Sequence, residues 1–269
     1  NSIFYHGDRL FSKTVYCENY QEILSNVDYR DLSGLDERER KKTIKETIKR
    51  SMFKILEQKF ESNVPWGILT GIRPVKIVHA LLDEGKDEEY IKIKLGEDYY
   101  IKDDKIELAL NIAKRERQFI YPIDQNKVSL YVGIPFCPTR CYYCSFPANP
   151  VDKFGGKKPL YVEKLLQEAK GVAELLRDNN KEIETLYIGG GTPTTLSPEE
   201  METLIKGLFK EFDLSNIKEF TVEAGRPDTI NREILEVLKK HGVSRISINP
   251  QTMNDETLQK VGRKHSVND

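Results

Sequence analysis

The sequence predicts an α/β protein: a C-terminal half built on a parallel β-sheet follows a mainly helical N-terminal half of the α+β type. Three observations support this prediction. From Val128 onwards, short apolar segments alternate with amphipathic helical segments, as they do in repeated β-α units. These segments are continuous apolar runs, which is typical of parallel strands buried on both faces. Upstream, charged helical segments dominate. We therefore expect two domains, at residues 1–126 and 127–269.

The N-terminal domain is expected to begin with a hairpin, because apolar and polar residues alternate over residues 1–20. Residues 36–60 predict a helix whose many charges face solvent. Two further helices are predicted at residues 88–95 and 105–119, and the segment YPIDQN (121–126) is interpreted as a linker.

Two single residues of this domain have competing interpretations. Cys17 is interpreted as a small buried apolar residue rather than a metal ligand. Arg73, close to Trp66, could bind a carboxylate with both arms of its guanidinium, or could cap or pack against the neighbouring domain, which we favour.

The C-terminal domain is expected to contain four β-α units. Its predicted strands are residues 128–134, 184–189, 219–224 and 245–250. Its predicted helices are residues 160–176, 198–209, 231–240 and 255–261.

The charge balance excludes some classes of partner. The 269 residues include 42 basic and 43 acidic side chains, a formal net charge of −1, which gives no electrostatic case for binding nucleic acid. The sequence also shows neither an apolar run of membrane-spanning length nor a signal peptide, so no membrane partner is expected. We expect a cytoplasmic protein, whose cysteines serve metals or catalysis more often than disulfides.

Three of the four cysteines lie within residues 131–146, at C-x3-C-x2-C spacing. Cys137, Cys141 and Cys144 directly follow a predicted strand, so three thiolates share one loop and can bind a metal. A structural zinc ion normally takes four ligands, and no fourth ligand stands nearby. An iron–sulfur cluster held by three cysteines would leave one iron open for chemistry. Structural zinc, an iron–sulfur cluster and three buried thiols all remain possible on spacing alone.

A second motif, GGGTP at residues 189–193, follows the next predicted strand. Three glycines allow a backbone to approach a ligand closely and to present its N–H and C=O groups, although a tight turn without a ligand would also explain them. Glu223 and the segment 249–251 end the third and fourth strands. Ligands of parallel β-α barrels gather at the carboxyl ends of the strands, so all these positions are expected at one rim.

Together, the cysteine motif and YIGGGTPT resemble the radical S-adenosylmethionine (SAM) superfamily and, within it, the oxygen-independent coproporphyrinogen III dehydrogenase (oxidase) family. The segments at residues 67–77 and 247–265 resemble its HemZ-type branch. The resemblance implies a partial barrel of six β-α units, truncated here after about four. The chain begins at Asn1 and ends in a polar stretch, so we expect part of the working protein to be missing.

The resemblance also implies which residues bind the cofactors. Cys137, Cys141 and Cys144 would hold a [4Fe–4S] cluster whose fourth iron chelates SAM. The residues implied to contact SAM are Gly190, Gly191 and Thr192 at its amino group, Tyr131 and Tyr143 beside it, and Glu223, Gln251 and Arg263 at its ribose and carboxylate. Simpler alternatives remain for three of them: Tyr131 in the core, Glu223 in a salt bridge, and Arg263 as a surface charge.

The function implied by the resemblance is the oxidative decarboxylation of coproporphyrinogen III to protoporphyrinogen IX. An electron from a donor such as a flavodoxin or ferredoxin would cleave SAM to a 5′-deoxyadenosyl radical, which removes hydrogen from a propionate before CO2 leaves. This chain departs from the family at Ser145 and Phe146, where dehydrogenases carry C-G-C, and at Gly133, where a histidine is usual. Haem chaperones share the first departure, so a haem-binding protein without dehydrogenase activity is the alternative.

Overall fold

The computed structural model describes residues 1–71 and 73–269, so Ile72, within the segment 67–77, lies outside the described residues. The chain separates into two compact units, Asn1–Ile123 and Asp124–Asp269. The division of the chain into two functional domains, at residues 1–126 and 127–269, stays a prediction.

The first unit begins with an antiparallel sheet, β1 (Ser2–His6), β2 (Arg9–Glu18) and β3 (Gln21–Asp31), in that order. The predicted hairpin is confirmed, but β3 was not predicted. The less exposed positions of β3 include the polar residues Asn26 and Asp28, whereas Val27 is exposed. Because polar residues occupy less exposed positions of β3, the alternation of apolar residues does not predict this strand.

Cys17 is exposed, so the prediction that it is a buried apolar residue is wrong. It lies near the end of β2, beside an irregularity in the pairing with β3 between Tyr16 and Cys17. The strand end and its bulge therefore leave the thiol in solvent.

Helix α1 (Glu37–Phe60) confirms the predicted charged helix and begins with a capping box between Asp36 and Glu39. It packs on the sheet partly through polar groups, because the Ser51 hydroxyl lies 2.8 Å from that of Ser12. The remaining helices of this unit are α2 (Val75–Asp83), α3 (Glu88–Tyr99) and α4 (Asp103–Ile120). Trp66 packs against their apolar core, while Arg73 is exposed.

The second unit is organised around a parallel sheet. Within the described residues its strand order is β4-β7-β8-β9, from β4 (Lys127–Ile134), β7 (Glu182–Gly190), β8 (Glu219–Glu223) and β9 (Arg245–Ser247). This confirms the predicted parallel α/β architecture, although β9 ends three residues earlier than expected. Two short strands that were not predicted, β5 (Phe136–Cys137) and β6 (Asn149–Pro150), pair with each other.

Helices connect or follow the strands of this sheet and bury its apolar residues. They are α5 (Val151–Phe154), α6 (Lys158–Asp178), α7 (Pro198–Glu211), α8 (Arg232–Lys240) and α9 (Asp255–Lys260). Ile188 of β7 and Leu204 of α7 are both fully buried in the shared core. None of the helices in residues 1–71 and 73–269 is long and apolar enough to cross a bilayer.

We predict that Leu204→Ala lowers the free energy of unfolding by about 2–5 kcal/mol, because it leaves a cavity in the core. Leu175→Ala is the matched control: it also replaces a helical leucine, but one that is 61% exposed, so its effect should stay within about 0.5 kcal/mol. Urea denaturation of both variants measures the difference. Equal losses for the two would contradict the core assignment.

Candidate functional site

The cysteine loop starts where β5 ends and has little regular structure of its own. Cys137 is the last residue of β5, and Cys141 and Cys144 flank one turn that is closed by a hydrogen bond from Cys144 N–H to Cys141 C=O at 3.1 Å. Cys137 and Cys141 are buried, and Cys144 is half-buried. In the part of the chain that the structure describes, no three His, Cys, Asp or Glu side chains are arranged to hold a single metal ion. A cubane cluster needs no such convergence, because each cysteine binds a different iron.

The glycine motif lies directly against this loop. A Cβ atom on Gly191 would lie 2.7 Å from the Phe136 carbonyl oxygen and 2.9 Å from Cys137 Sγ, so only glycine fits there. The Gly191 N–H is already bonded to the Ile134 carbonyl at 2.8 Å. The Gly191 N–H is therefore engaged within the protein, and the missing side chain serves the packing of the loop.

Thr192 completes the contact between the two motifs. Its hydroxyl lies 3.5 Å from Cys137 Sγ, within hydrogen-bonding range for sulfur, and the residue is almost fully buried. Burial raises the pKa of the Cys137 thiol, whereas the Thr192 hydrogen bond and the charge of Arg226 lower it. Both polar groups therefore favour the thiolate, the form that binds a metal.

Two tyrosines stand beside the carboxylate at the end of β8. The rings of Tyr131 and Tyr187 stack with centroids 5.7 Å apart, and the Tyr187 hydroxyl donates to Glu223 Oε1 at 2.7 Å. Tyr131 is 58% exposed, so the alternative that places it in the core is wrong. A Cβ on Gly189 would lie 2.9 Å from the Tyr131 hydroxyl, so glycine at this position leaves room for the Tyr131 side chain.

Arg263 is a buried cation on the same rim. It is only 8% exposed, which contradicts its interpretation as a surface charge. Its Nη1 donates to the Gly225 carbonyl at 3.0 Å and its Nη2 to the Tyr143 hydroxyl at 3.3 Å, both neutral groups. Among the described residues, nothing accepts a hydrogen bond from its buried Nε. An anionic group of a ligand would complement this cation.

Gln251 follows β9 and is exposed. Its backbone is in the left-handed region, with φ +67°, which a non-glycine residue adopts at a cost and which is common at functional sites. Two residues earlier, the Asn249 carbonyl accepts a hydrogen bond from Arg263 at 3.5 Å. Within the described residues, no hydrogen bond joins the Gln251 side chain to the other predicted site residues.

Arg226 is a member of the site that the sequence analysis missed. It follows β8 by three residues and is 3% exposed, and its Nη1 lies 3.6 Å from Cys141 Sγ. The available signal was a Gly-Arg-Pro triplet directly after a strand end. An arginine in a polar turn usually faces solvent, so only the packed structure identifies it as buried.

The residues present fit the cofactors that the sequence motifs imply. Three cysteines on one loop supply the soft donor set that iron–sulfur clusters take, and the buried Arg263 guanidinium has neutral partners only in the described part of the chain. Residues 131–269 match the family model described as the radical SAM superfamily. The chain belongs to the radical SAM superfamily. Its cofactors are accordingly a [4Fe–4S] cluster and SAM, which removes the basis for a zinc-binding module.

Several known proteins are similar to this radical SAM chain. It is 42% identical over 236 residues to the oxygen-independent coproporphyrinogen-III oxidase-like protein HemZ of Bacillus subtilis, covering 87% of this chain and 47% of HemZ. It is 37% identical over 147 residues to the haem chaperone HemW of Lactococcus lactis, covering 53% of this chain and 35% of HemW. Among solved structures, coproporphyrinogen III oxidase (HemN) of Escherichia coli, a radical SAM enzyme, matches with TM-score 0.48 and 29% identity, over 58% of this chain and 34% of that one.

The family model shows membership of the radical SAM superfamily, and within it the chain is similar to HemZ over most of its own length. The chain spans less than half the length of each of these curated relatives. The names of the relatives include both an oxidase-like protein and a chaperone, so they leave the reaction of this chain open.

We predict that Gly191→Ala strongly reduces cluster incorporation, because the added Cβ would displace the β5 backbone and Cys137. Gly171→Ala is the matched control, since its Cβ would meet nothing within 4 Å and it lies in a helix. Iron and sulfide analysis after anaerobic reconstitution measures the effect. Full incorporation in Gly191→Ala would show that the packing against Cys137 is not required.

Tyr187 generates a prediction about alkaline pH. Burial and the hydrogen bond to Glu223 raise its pKa from 10.0 to about 12, so the protonated phenol is favoured in the folded state. The resulting stability is fully present below pH 10 and is lost as the pH rises towards 12. Between these two values, the free energy of unfolding should fall more for the unmodified protein than for Tyr187→Phe. The free energy of unfolding is measured for both proteins by urea denaturation at each pH. If the two values fell in parallel, the raised pKa of Tyr187 would not contribute to stability.

Proposed function

We propose that this radical SAM protein oxidatively decarboxylates the propionates of coproporphyrinogen III to vinyl groups, giving protoporphyrinogen IX in anaerobic haem biosynthesis. One observation carries the proposal. Three cysteines, the GGGTP motif and Glu223 lie at the carboxyl ends of the parallel strands, and the buried Arg263 is bonded to the segments that follow β8 and β9 at the same rim. Similarity to HemZ over 87% of the chain supports the choice of substrate.

In this proposal, different residues of the rim bind the two cofactors. Cys137, Cys141 and Cys144 hold the cluster, and when bound it supplies the electron for the reductive cleavage of SAM into a hydrogen-abstracting species. The proposed SAM contacts are Gly190, Gly191 and Thr192 along the methionine, Tyr131 and Tyr143 beside it, and Glu223, Gln251 and Arg263 at the ribose and carboxylate.

The surrounding side chains position these groups. Tyr187 donates to one oxygen of Glu223, which leaves the other oxygen free to accept a hydrogen bond from a ribose hydroxyl. Arg263 is held by the carbonyls of Gly225 and Asn249, so its charge is fixed before the carboxylate of SAM arrives. Preorganised groups of this kind lower the cost of binding and orientation.

The proposal includes a one-electron donor such as a flavodoxin or ferredoxin, and a cytoplasmic location. Neither nucleic acid nor a membrane has a part in it. The chain is nearly neutral, which gives no electrostatic basis for nucleic-acid binding.

A haem-binding chaperone without dehydrogenase activity is the second candidate. Two observations favour it: the similarity to HemW proteins at 37% identity, and the sequence Cys144-Ser145-Phe146 where the dehydrogenases carry a further cysteine. In this alternative the rim still binds the cluster, but the protein retains haem and does not decarboxylate a porphyrinogen.

The first test addresses the cluster ligands. Cys144→Ser should lose the cluster and reduce SAM cleavage to the background level, because serine replaces a soft sulfur donor with a hard oxygen. Cys17→Ser is the matched control and should retain both properties, since Cys17 is an exposed thiol in β2. Iron content and 5′-deoxyadenosine formation measure the two effects. A cluster that assembles normally in Cys144→Ser would refute the ligand assignment.

The second test separates the candidate functions. The whole protein that carries this chain is reconstituted anaerobically and incubated with SAM, a low-potential reductant and coproporphyrinogen III. Formation of vinyl product detected by mass spectrometry supports the dehydrogenase. Cleavage of SAM without vinyl product, together with retention of added haem on a desalting column, supports the chaperone instead.

A further inference from the structure

Arg226 is a buried charge in the turn that follows β8. Only 3% of its surface is exposed, and burying a guanidinium is costly unless its charge and its hydrogen bonds are satisfied. Neither proposed function gives this residue a role. The structure therefore requires an explanation for a cation placed beside a cysteine loop.

The five N–H donors of Arg226 all find acceptors, which divide into two groups. On one side, Nε and Nη2 lie 3.1 Å and 3.2 Å from the two carboxylate oxygens of Asp228, a bidentate pair. On the other side, Nη2 donates to the Thr139 hydroxyl at 3.1 Å, and Nη1 lies 3.2 Å from the Thr139 carbonyl and 3.6 Å from Cys141 Sγ. A lysine, with three donors on one nitrogen, could not make this set of contacts.

These contacts join two elements that are distant in sequence. The turn after β8 and the cysteine loop are 85 residues apart at the Arg226–Cys141 contact. Thr139 is also tied to the segment after α9, because its hydroxyl donates to the Gly262 carbonyl at 3.0 Å. Arg226 therefore belongs to the framework that holds the loop, and its charge lies at the sulfur of a cysteine.

The charge also has a consequence for electron transfer. Hydrogen bonds to cysteine sulfurs and the net charge nearby are among the factors that set the reduction potential of an iron–sulfur cluster. A reduced cluster carries one more negative charge than the oxidised cluster. A fixed cation that donates to one of its sulfurs stabilises the reduced state more and so raises the potential, while Asp228 partly offsets the effect.

We propose that Arg226 is a positioning residue that holds the cysteine loop and raises the reduction potential of the cluster bound through Cys141. The proposal rests on the ligand assignment made under the proposed function. It applies equally to the dehydrogenase and to the chaperone, because both bind the cluster through the same rim. The negative charge of Asp228 reduces the positive electrostatic potential that Arg226 produces at Cys141 Sγ.

The test is a redox titration of the whole protein, reconstituted anaerobically without SAM and followed by electron paramagnetic resonance. In Arg226→Gln, the ratio of reduced to oxidised cluster at the midpoint potential of the unmodified protein should fall about tenfold, a negative shift of about 59 mV for one electron. Arg226→Lys keeps the positive charge but loses the planar set of N–H donors. The negative shift of its midpoint potential should therefore be smaller than that of Arg226→Gln. Asp228→Asn removes the opposing charge and should shift the potential in the positive direction.

Arg232→Gln is the matched control. It makes the same substitution at a side chain that is 87% exposed and pairs on the surface with Glu236, so the potential should not change. A purely structural role for Arg226 predicts lower cluster content with an unchanged potential, whereas the proposal predicts a shift in the clusters that do form. If Arg226→Gln takes up no cluster, Arg226→Lys and Asp228→Asn provide the test.

Any of three results would overturn the proposal: an unchanged potential in the clusters that Arg226→Gln does form, an unchanged potential in both Arg226→Lys and Asp228→Asn, or shifts of the same sign in the Arg226 and Asp228 variants. Failure of the ligand assignment is a different result, because the unmodified protein would then contain no iron after reconstitution. Iron and sulfide analysis of each preparation distinguishes the two failures.

Discussion

The functional rim depends on one constraint, namely that a loop with little regular structure must hold three cysteines in fixed places. Hydrogen bonds between the loop and the segments that follow β7, β8 and α9 impose this order. Thr192 contacts Cys137, Arg226 contacts Cys141, and the Tyr142 N–H donates to the Val261 carbonyl at 3.1 Å. Since ordering backbone costs on the order of 1–2 kcal/mol per residue, contacts from several separate segments are needed to fix such a loop before a cofactor binds.

The parallel sheet makes these contacts possible. The four strands of the main sheet in the second unit run in the same direction, so their carboxyl ends and the residues that follow them meet at one edge. One close junction lies between β4 and β7, where Ile134 pairs with Gly190, and the next residue, Gly191, packs on Phe136. Small residues there bring the first and second strand ends close enough for Thr192 to contact Cys137.

The rim supports cofactor binding more directly than it supports any particular substrate. The cluster and SAM follow from membership of the radical SAM superfamily, and the geometry around Cys137, Glu223 and Arg263 fits them. The substrate depends on residues that contact a porphyrin, and the chain spans about half the length of HemZ. The departure at Ser145 and Phe146 keeps the dehydrogenase and the chaperone as separate hypotheses.

The sequence by itself determined the elements with strong local signals: the charged helix α1, the four parallel strands and the two motifs at their ends. These could be predicted because apolar periodicity, glycine runs and cysteine spacing are local properties. Only the tertiary structure revealed β3, whose partly covered face is polar, the exposure of Cys17, and the burial of Arg226 and Arg263. The physical reason is that burial of a polar side chain depends on partners distant in the sequence, such as Thr139 for Arg226 and Gly225 for Arg263.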